Sequence, residues 1–84
     1  MTKQSETELP VVDEVMDLRG LQCPMPLLKT KQRLNQLGSG ICLQVMATDA
    51  GSVRDFNAFL GLSQHRLLAQ KEINGEYHFW ILSA

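Results

Sequence analysis

The sequence predicts a two-layer α/β sandwich of element order βαβαββ, in which a mixed four-stranded sheet carries two helices on one face. Three observations lead to this prediction. Two stretches with apolar residues at helical spacing alternate with short strand-like apolar segments. Residues 41–47 are almost continuously apolar, which is typical of a central strand buried or half-buried on both faces. Asn74-Gly75 joins two further strand-like segments and is a strong short-range signal of a β-hairpin.

The first half of the chain predicts a strand, a helix and a strand. Residues 15–18 form the first strand, and Gly20 gives the following loop its backbone freedom. Residues 27–37 carry apolar side chains at helical spacing, and Gly38-Ser39-Gly40 ends that helix. Because residues 41–47 follow directly, the unit is expected to be a crossover between two parallel strands.

The second half predicts a helix and a hairpin. Residues 48–52 form a turn, residues 53–62 a second helix, and residues 66–73 and 77–82 the two antiparallel strands. Both faces of the last strand are partly apolar, which leaves open the set that faces the core: Tyr77, Phe79 and Ile81, or His78, Trp80 and Leu82. The face left open would be available for a partner or a dimer contact.

The length and the net charge of the chain limit the functions it can have. The chain has 84 residues, of which 44% are hydrophobic and 20% are charged, so we expect a single globular domain at residues 11–84 behind a flexible tail at residues 1–10. The net charge of −1 argues against direct binding of nucleic acid by bulk charge. No apolar run approaches the ~18–20 residues of a membrane span, and the N-terminus lacks the apolar stretch of a signal peptide. We therefore expect a cytoplasmic protein.

The two cysteines differ in their settings. Cys42 lies inside the apolar segment 41–47, which predicts a buried, inert thiol. The sequence contains no Cys-x-x-Cys pair, and His65 and His78 show no ligand spacing relative to either cysteine, so we expect no metal.

Cys23 stands between a loop and a helix that opens with two prolines. With Cys23 as the N-cap, Pro24 and Pro26 would occupy the first and third helical positions, where a missing N–H is tolerated. The sulfur would then face a free backbone N–H such as that of Met25, and the helix dipole would lower the pKa of the thiol. These residues predict a nucleophilic thiolate, although a lone cysteine is also commonly a small core residue.

The segment from Asp17 to Pro26 (Asp-Leu-Arg-Gly-Leu-Gln-Cys-Pro-Met-Pro) resembles the signature of the TusA/SirA-type sulfur carrier family. In that signature an Asp-x-Arg-Gly segment leads into a Cys-Pro-x-Pro helix start. The resemblance extends over roughly residues 15–82 and includes the element order, the Thr48-Asp49 turn, the Ser52-x-x-Asp55 helix start and the terminal hairpin. It implies a two-layer sandwich and a small cytoplasmic protein.

The resemblance also implies a chemistry. Cys23 would accept a sulfane sulfur as a persulfide from a cysteine desulfurase or a rhodanese and pass it to a downstream relay protein. The pathway would be tRNA thiolation, cofactor synthesis or sulfur oxidation. Pro24 and Pro26 carry over as residues that shape the site, beside Arg19 and Gly20. Such a sulfurtransferase needs no cofactor beyond the covalent persulfide, and we expect a monomer, with a weak dimer left open.

Other polar residues near these motifs have more than one explanation. Arg19 would add positive charge near the thiolate or contact a partner, or simply pair with Asp17. A basic run on the first helix would form a solvated face or dock an acidic donor enzyme: Lys29, Lys31 and Arg33. At the start of the second helix, capping accounts for three further residues, to which we assign no catalytic role: Asp49, Ser52 and Asp55.

Two other functions compete with a sulfur carrier. One is a binding or regulatory module that keeps the fold without carrying sulfur. The other is a redox sensor that joins Cys23 to Cys42, which requires the two Cα atoms to approach to ~5.5 Å.

Overall fold

The computed structural model describes residues 9–84. The element order is βαβαββ, as predicted. The strands and helices, in chain order, are β1 (Glu14–Asp17), α1 (Met25–Gln36), β2 (Cys42–Ala47), α2 (Gly51–Leu62), β3 (Arg66–Ile73) and β4 (Glu76–Leu82). The tail predicted at residues 1–10 falls mostly on residues 1–8, which lie outside the described residues.

The sheet is mixed, with the strand order β1-β2-β4-β3. β1 and β2 pair in parallel, with Val15 opposite Gln44 and Met16 opposite Val45. β4 lies between β2 and β3 and is antiparallel to both. The hairpin therefore folds back so that its second strand is central, and the predicted parallel and antiparallel pairings are both confirmed.

Both helices cover the same face of the sheet. Alternate residues of the two central strands, Leu43 and Val45 on β2 and Phe79 and Ile81 on β4, point to that face. They form one buried cluster with side chains from α1 and α2, chiefly Leu34, Phe56 and Leu60. The structure thus places Tyr77, Phe79 and Ile81 on the side of the core.

The centre of the core is an aromatic pair between the two layers. The rings of Phe56 on α2 and Phe79 on β4 stack with centroids 4.5 Å apart, and both side chains are almost fully buried. Such a pair adds to the stabilisation from buried apolar area alone. It holds the N-terminal half of α2 against the sheet, near the end of β2.

The other face of the sheet carries no helix. Here His78 stacks on Trp80, with ring centroids 6.0 Å apart, and Gln44 approaches the His78 ring at 3.4 Å. Val15, on the edge strand β1, is 54% exposed on this face. Within residues 9–84, no helix is long and apolar enough to cross a membrane.

Removing the Phe56 ring should destabilise the fold strongly. We expect Phe56→Ala to lower the free energy of unfolding by about 3–5 kcal/mol, because a buried aromatic side chain leaves a cavity that only partly collapses. Urea denaturation measures this change. Leu62→Ala is the control, because Leu62 is 93% exposed and its truncation should change the stability by less than about 0.5 kcal/mol. Equal midpoints for the two variants would contradict this description of the core.

Candidate active site around Cys23

The Cys23 loop lies at the edge of the sheet where two parallel strands end together. β1 and β2 are neighbours, so the loop after β1 and the loop after β2 leave the same edge. Two hydrogen bonds hold the loop after β1: the Leu18 N–H donates to Met46 O in β2 at 2.8 Å, and the Gly20 N–H donates to Thr48 Oγ1 in the loop after β2 at 2.8 Å. Cys23 therefore sits beside the start of α2 as well as the start of α1.

Gly20 gives the loop its shape. Its φ is +87°, in the left-handed region that residues with a side chain adopt at a cost. This conformation turns the N–H toward Thr48 directly after β1. The sequence prediction that Gly20 supplies backbone freedom is confirmed at this position.

Arg19 is held in an ion-pair network. Its guanidinium donates to both carboxylate oxygens of Asp17, at 2.8 and 2.7 Å, and to Glu76 Oε2 on β4 at 3.2 Å. The hydrogen bonds from Arg19 lower the pKa of Asp17 from 3.8 to about 2. Pairing with Asp17, one of the two explanations considered for Arg19, is therefore the arrangement present. Arg19 is not among the charged groups that shift the pKa of Cys23.

The predicted role of Cys23 as the N-cap is wrong. The N-cap is Pro24, the helix begins at Met25, and Pro26 occupies the second helical position. The Met25 N–H donates to Gln22 O at 2.9 Å, so it is not free to face the sulfur. The prolines still open the helix, one residue later than expected, and Pro26 is buried.

Cys23 instead forms a hydrogen bond with α2. The side chain is exposed, and its thiol donates to Asp55 Oδ2 at 2.7 Å. This bond raises the pKa of the Cys23 thiol above its usual value, with further contributions from desolvation and from the negative charges of Asp55 and Asp49. Arg54 opposes the shift. The predicted lowering of this pKa is wrong for the unloaded thiol, because the sulfur faces carboxylates instead of a helix N-terminus.

The capping role expected for Asp49, Ser52 and Asp55 is also wrong. Ala50 is the N-cap of α2, and no side chain forms a capping bond there. Asp49 Oδ2 and Ser52 Oγ are buried without a hydrogen-bond partner among the described residues.

A helical spacing explains how Asp55 reaches the sulfur. Gly51 and Asp55 are four residues apart on α2 and so share one face. A β-carbon added at Gly51 would lie 3.8 Å from Cys23 Cβ, so this face of α2 is the one against the cysteine. The i, i+4 spacing is visible in the sequence, but the sequence does not say that this face meets the Cys23 loop.

The three basic residues of α1 do not form one surface. Arg33 is engaged through its guanidinium by the Glu14 carboxylate on β1. Lys31 Nζ lies 5.2 Å from the centroid of the Phe59 ring on α2, a cation–π geometry. Lys29 is exposed on the side of α1 that carries Arg33.

Cys42 is buried, as predicted, with 5% of its surface exposed. Its backbone N–H donates to Asp13 Oδ2 at 2.8 Å, and burial raises the pKa of its thiol. It begins β2, whereas Cys23 lies beyond the other end of that strand. Six strand residues span roughly 17 Å at ~3.3 Å per step, so an intramolecular disulfide between Cys23 and Cys42 is not compatible with this fold.

A methyl group at Gly20 should strain the loop. We expect Gly20→Ala to lower the free energy of unfolding by about 1–2 kcal/mol, because alanine at a positive φ is disfavoured. Gly38→Ala is the matched control. Gly38 does not adopt a positive φ, and an added β-carbon there meets no atom within 4 Å, so its midpoint in urea should be unchanged or slightly higher. A Gly20→Ala midpoint equal to that of wild type would contradict the left-handed conformation.

The ion pair with Arg19 should lower the titration midpoint of the Asp17 carboxyl group. The pKa of Asp17 in the folded chain lies below its unfolded value, so the stabilisation from this pair is present above pH 3.8 and is lost as the pH falls through about 2. Carboxyl-carbon NMR should therefore give Asp17 a midpoint of about 2. In Arg19→Gln this midpoint should rise toward 3.8. Glu14 should keep its midpoint, because its partner is Arg33; a shift of both carboxyls would indicate a general change of the fold.

Comparison with known sequences identifies the family of this chain. The profile of the family described as "Sulfurtransferase TusA" matches residues 14–83. A "Sulfur carrier protein TusA" from Allochromatium vinosum is 46% identical over 69 residues, which cover 82% of this chain and 91% of the relative. A "Putative sulfur carrier protein YrkI" from Bacillus subtilis is 44% identical over 69 residues, 82% of this chain and 92% of the relative. A "Sulfur carrier protein TusA" from Pseudomonas putida is 39% identical over 69 residues, 82% and 86% of the two chains. The chain belongs to the TusA sulfurtransferase family.

Proposed function

We propose that this chain accepts a sulfane sulfur on Cys23 as a persulfide and passes it to a thiol of another protein. The single observation that carries the proposal is the difference between the two cysteines. Cys23 is exposed on a loop at the edge of the sheet, whereas Cys42 is buried within β2. Only an exposed sulfur can meet the sulfur of a donor protein, since transfer requires direct contact between the two. The family membership supports a role in sulfur transfer.

The transfer is an exchange at sulfur that needs no net oxidant. The Cys23 thiol and a donor persulfide anion give a Cys23 persulfide anion and a donor thiol. The bond between Cys23 Sγ and the outer sulfur forms, the sulfur–sulfur bond of the donor breaks, and the proton of the Cys23 thiol ends on the donor sulfur. The same step run with an acceptor thiol unloads the carrier. No metal, nucleotide or organic cofactor takes part in this scheme.

The partners are a donor and an acceptor that each present a cysteine. A cysteine desulfurase or a rhodanese has the chemistry of the donor, and the acceptor is a downstream relay protein. Lys29 and Lys31 are the basic side chains of α1 that are not paired with a carboxylate among the described residues. They are therefore better candidates for contact with an acidic donor than Arg33, which is engaged by Glu14. A reducing compartment such as the cytoplasm would keep Cys23 as the free thiol.

The proposed persulfide is compatible with more than one final destination of the sulfur. Thiolation of tRNA, synthesis of a cofactor and oxidation of sulfur all begin with the same persulfide. The net charge of −1 favours delivery through a protein acceptor over direct contact with RNA.

Intact-protein mass spectrometry tests the proposal. After incubation with a cysteine desulfurase and cysteine, without reductant, we expect wild type to gain the mass of one sulfur atom. Cys23→Ser should gain none, because the exposed sulfur is absent.

Cys42→Ser is the matched control and should load as wild type does. A rhodanese with thiosulfate is the second donor to be tried. Loading that follows Cys42, or no loading from either donor, would reject the carrier mechanism and favour a binding or regulatory module on the same fold.

A further inference from the structure

The hydrogen bond between Cys23 and Asp55 depends on the chemical state of the sulfur. The thiol donates its proton to Asp55 Oδ2 over 2.7 Å. Asp55 is fixed on α2, its side chain is only 24% exposed, and its other oxygen lies 3.8 Å from Arg54 Nε. The carboxylate is thus held in place to accept a hydrogen bond from Sγ–H. Because the acceptor is charged, this hydrogen bond is stronger than one to a neutral acceptor.

A second sulfur removes the donor from this bond. In a persulfide the inner sulfur, Sγ, is bonded to carbon and to the outer sulfur and carries no hydrogen. If the outer sulfur is anionic, the surrounding charges repel it: Asp55 on α2 and Asp49 in the loop before α2, with Arg54 as the opposing cation. The contact that holds the thiol therefore becomes unfavourable once Cys23 is loaded.

We propose that Asp55 is a positioning residue that restrains the Cys23 side chain only in its unloaded thiol state and releases it when a second sulfur is attached. The unloaded sulfur is held against α2 as the thiol, which is less nucleophilic than the thiolate. The loaded sulfur is turned away from α2 toward solvent, where an acceptor can reach it. This inference rests on the proposed function and assigns the difference between the two states to one carboxylate.

The first arm of the test measures the unloaded thiol. Alkylation of Cys23 by iodoacetamide is followed as a function of pH by peptide mass spectrometry, in wild type and in Asp55→Asn. Asparagine keeps an oxygen that can accept the bond but removes the charge, so the midpoint of the profile should move to lower pH. Near neutral pH the rate should rise by about threefold for each pKa unit, because the thiolate fraction rises about tenfold while its nucleophilicity falls by about threefold.

Two further variants separate positioning from a loss of structure. Glu72→Gln makes the same charge change on β3, at an exposed residue that does not affect the pKa of Cys23, and should leave the profile unchanged. Asp55→Glu restores the charge and should return the midpoint toward that of wild type. An unchanged profile in Asp55→Asn, or an equal shift in Glu72→Gln, would overturn the proposal.

The second arm attaches a second sulfur without any donor protein. Methyl methanethiosulfonate converts Cys23 into a methyl disulfide, which carries an outer sulfur and no S–H. Carboxyl-carbon NMR should then show a changed chemical shift for Asp55, with Glu72 unchanged. The same Asp55 shift before and after modification would show that no bond was lost and would overturn the proposal.

The outcomes stay distinct from those of the loading experiment. Neither arm uses a desulfurase, so Asp55 can be shown to restrain the thiol even if no sulfur is loaded enzymatically. Conversely, loading on Cys23 with no effect of Asp55→Asn would leave the carrier function intact and remove only the role of Asp55.

Discussion

The parallel pairing of β1 with β2 is the constraint on which the candidate site depends. Parallel neighbours end at the same edge of a sheet, so the Cys23 loop and the start of α2 are brought together although they are about thirty residues apart in the chain. The hydrogen bonds from Leu18 to Met46 and from Gly20 to Thr48 extend this pairing into the loops. The core pair Phe56–Phe79 then holds α2 in place. Without these contacts Asp55 would not meet Cys23.

Direct contact with Asp55 governs the pKa of the Cys23 thiol more than the nearby helix N-termini do. A helix N-terminus stabilises an anion through free N–H groups, but the Met25 N–H is already bonded to Gln22 O. The Asp55 carboxylate is in direct contact with the thiol. The nearer group dominates, so the pKa of the unloaded thiol is raised instead of lowered.

The architecture was predictable because each element carries its own local signal. Asn74-Gly75 indicates the hairpin, and the helical spacing in residues 27–37 indicates α1. The exact starts of the helices were not predictable, since Pro24 and Ala50 are N-caps without any side-chain capping bond. The set of β4 that faces the helices was also not predictable, because both of its faces are partly apolar and only the position of the helices distinguishes them.

The sequence by itself determined the family and the order of the elements, and it singled out Cys23 as the candidate functional residue, because a short motif and local periodicity carry that information. Only the tertiary structure decided what surrounds that cysteine. Arg19 turns to Asp17 and Glu76, the basic residues of α1 separate onto different sides, and Asp55 reaches the sulfur from another helix. Apart from the local pair Arg19–Asp17, these contacts join residues far apart in the chain, and their geometry follows from strand order and helix packing, which no local pattern encodes.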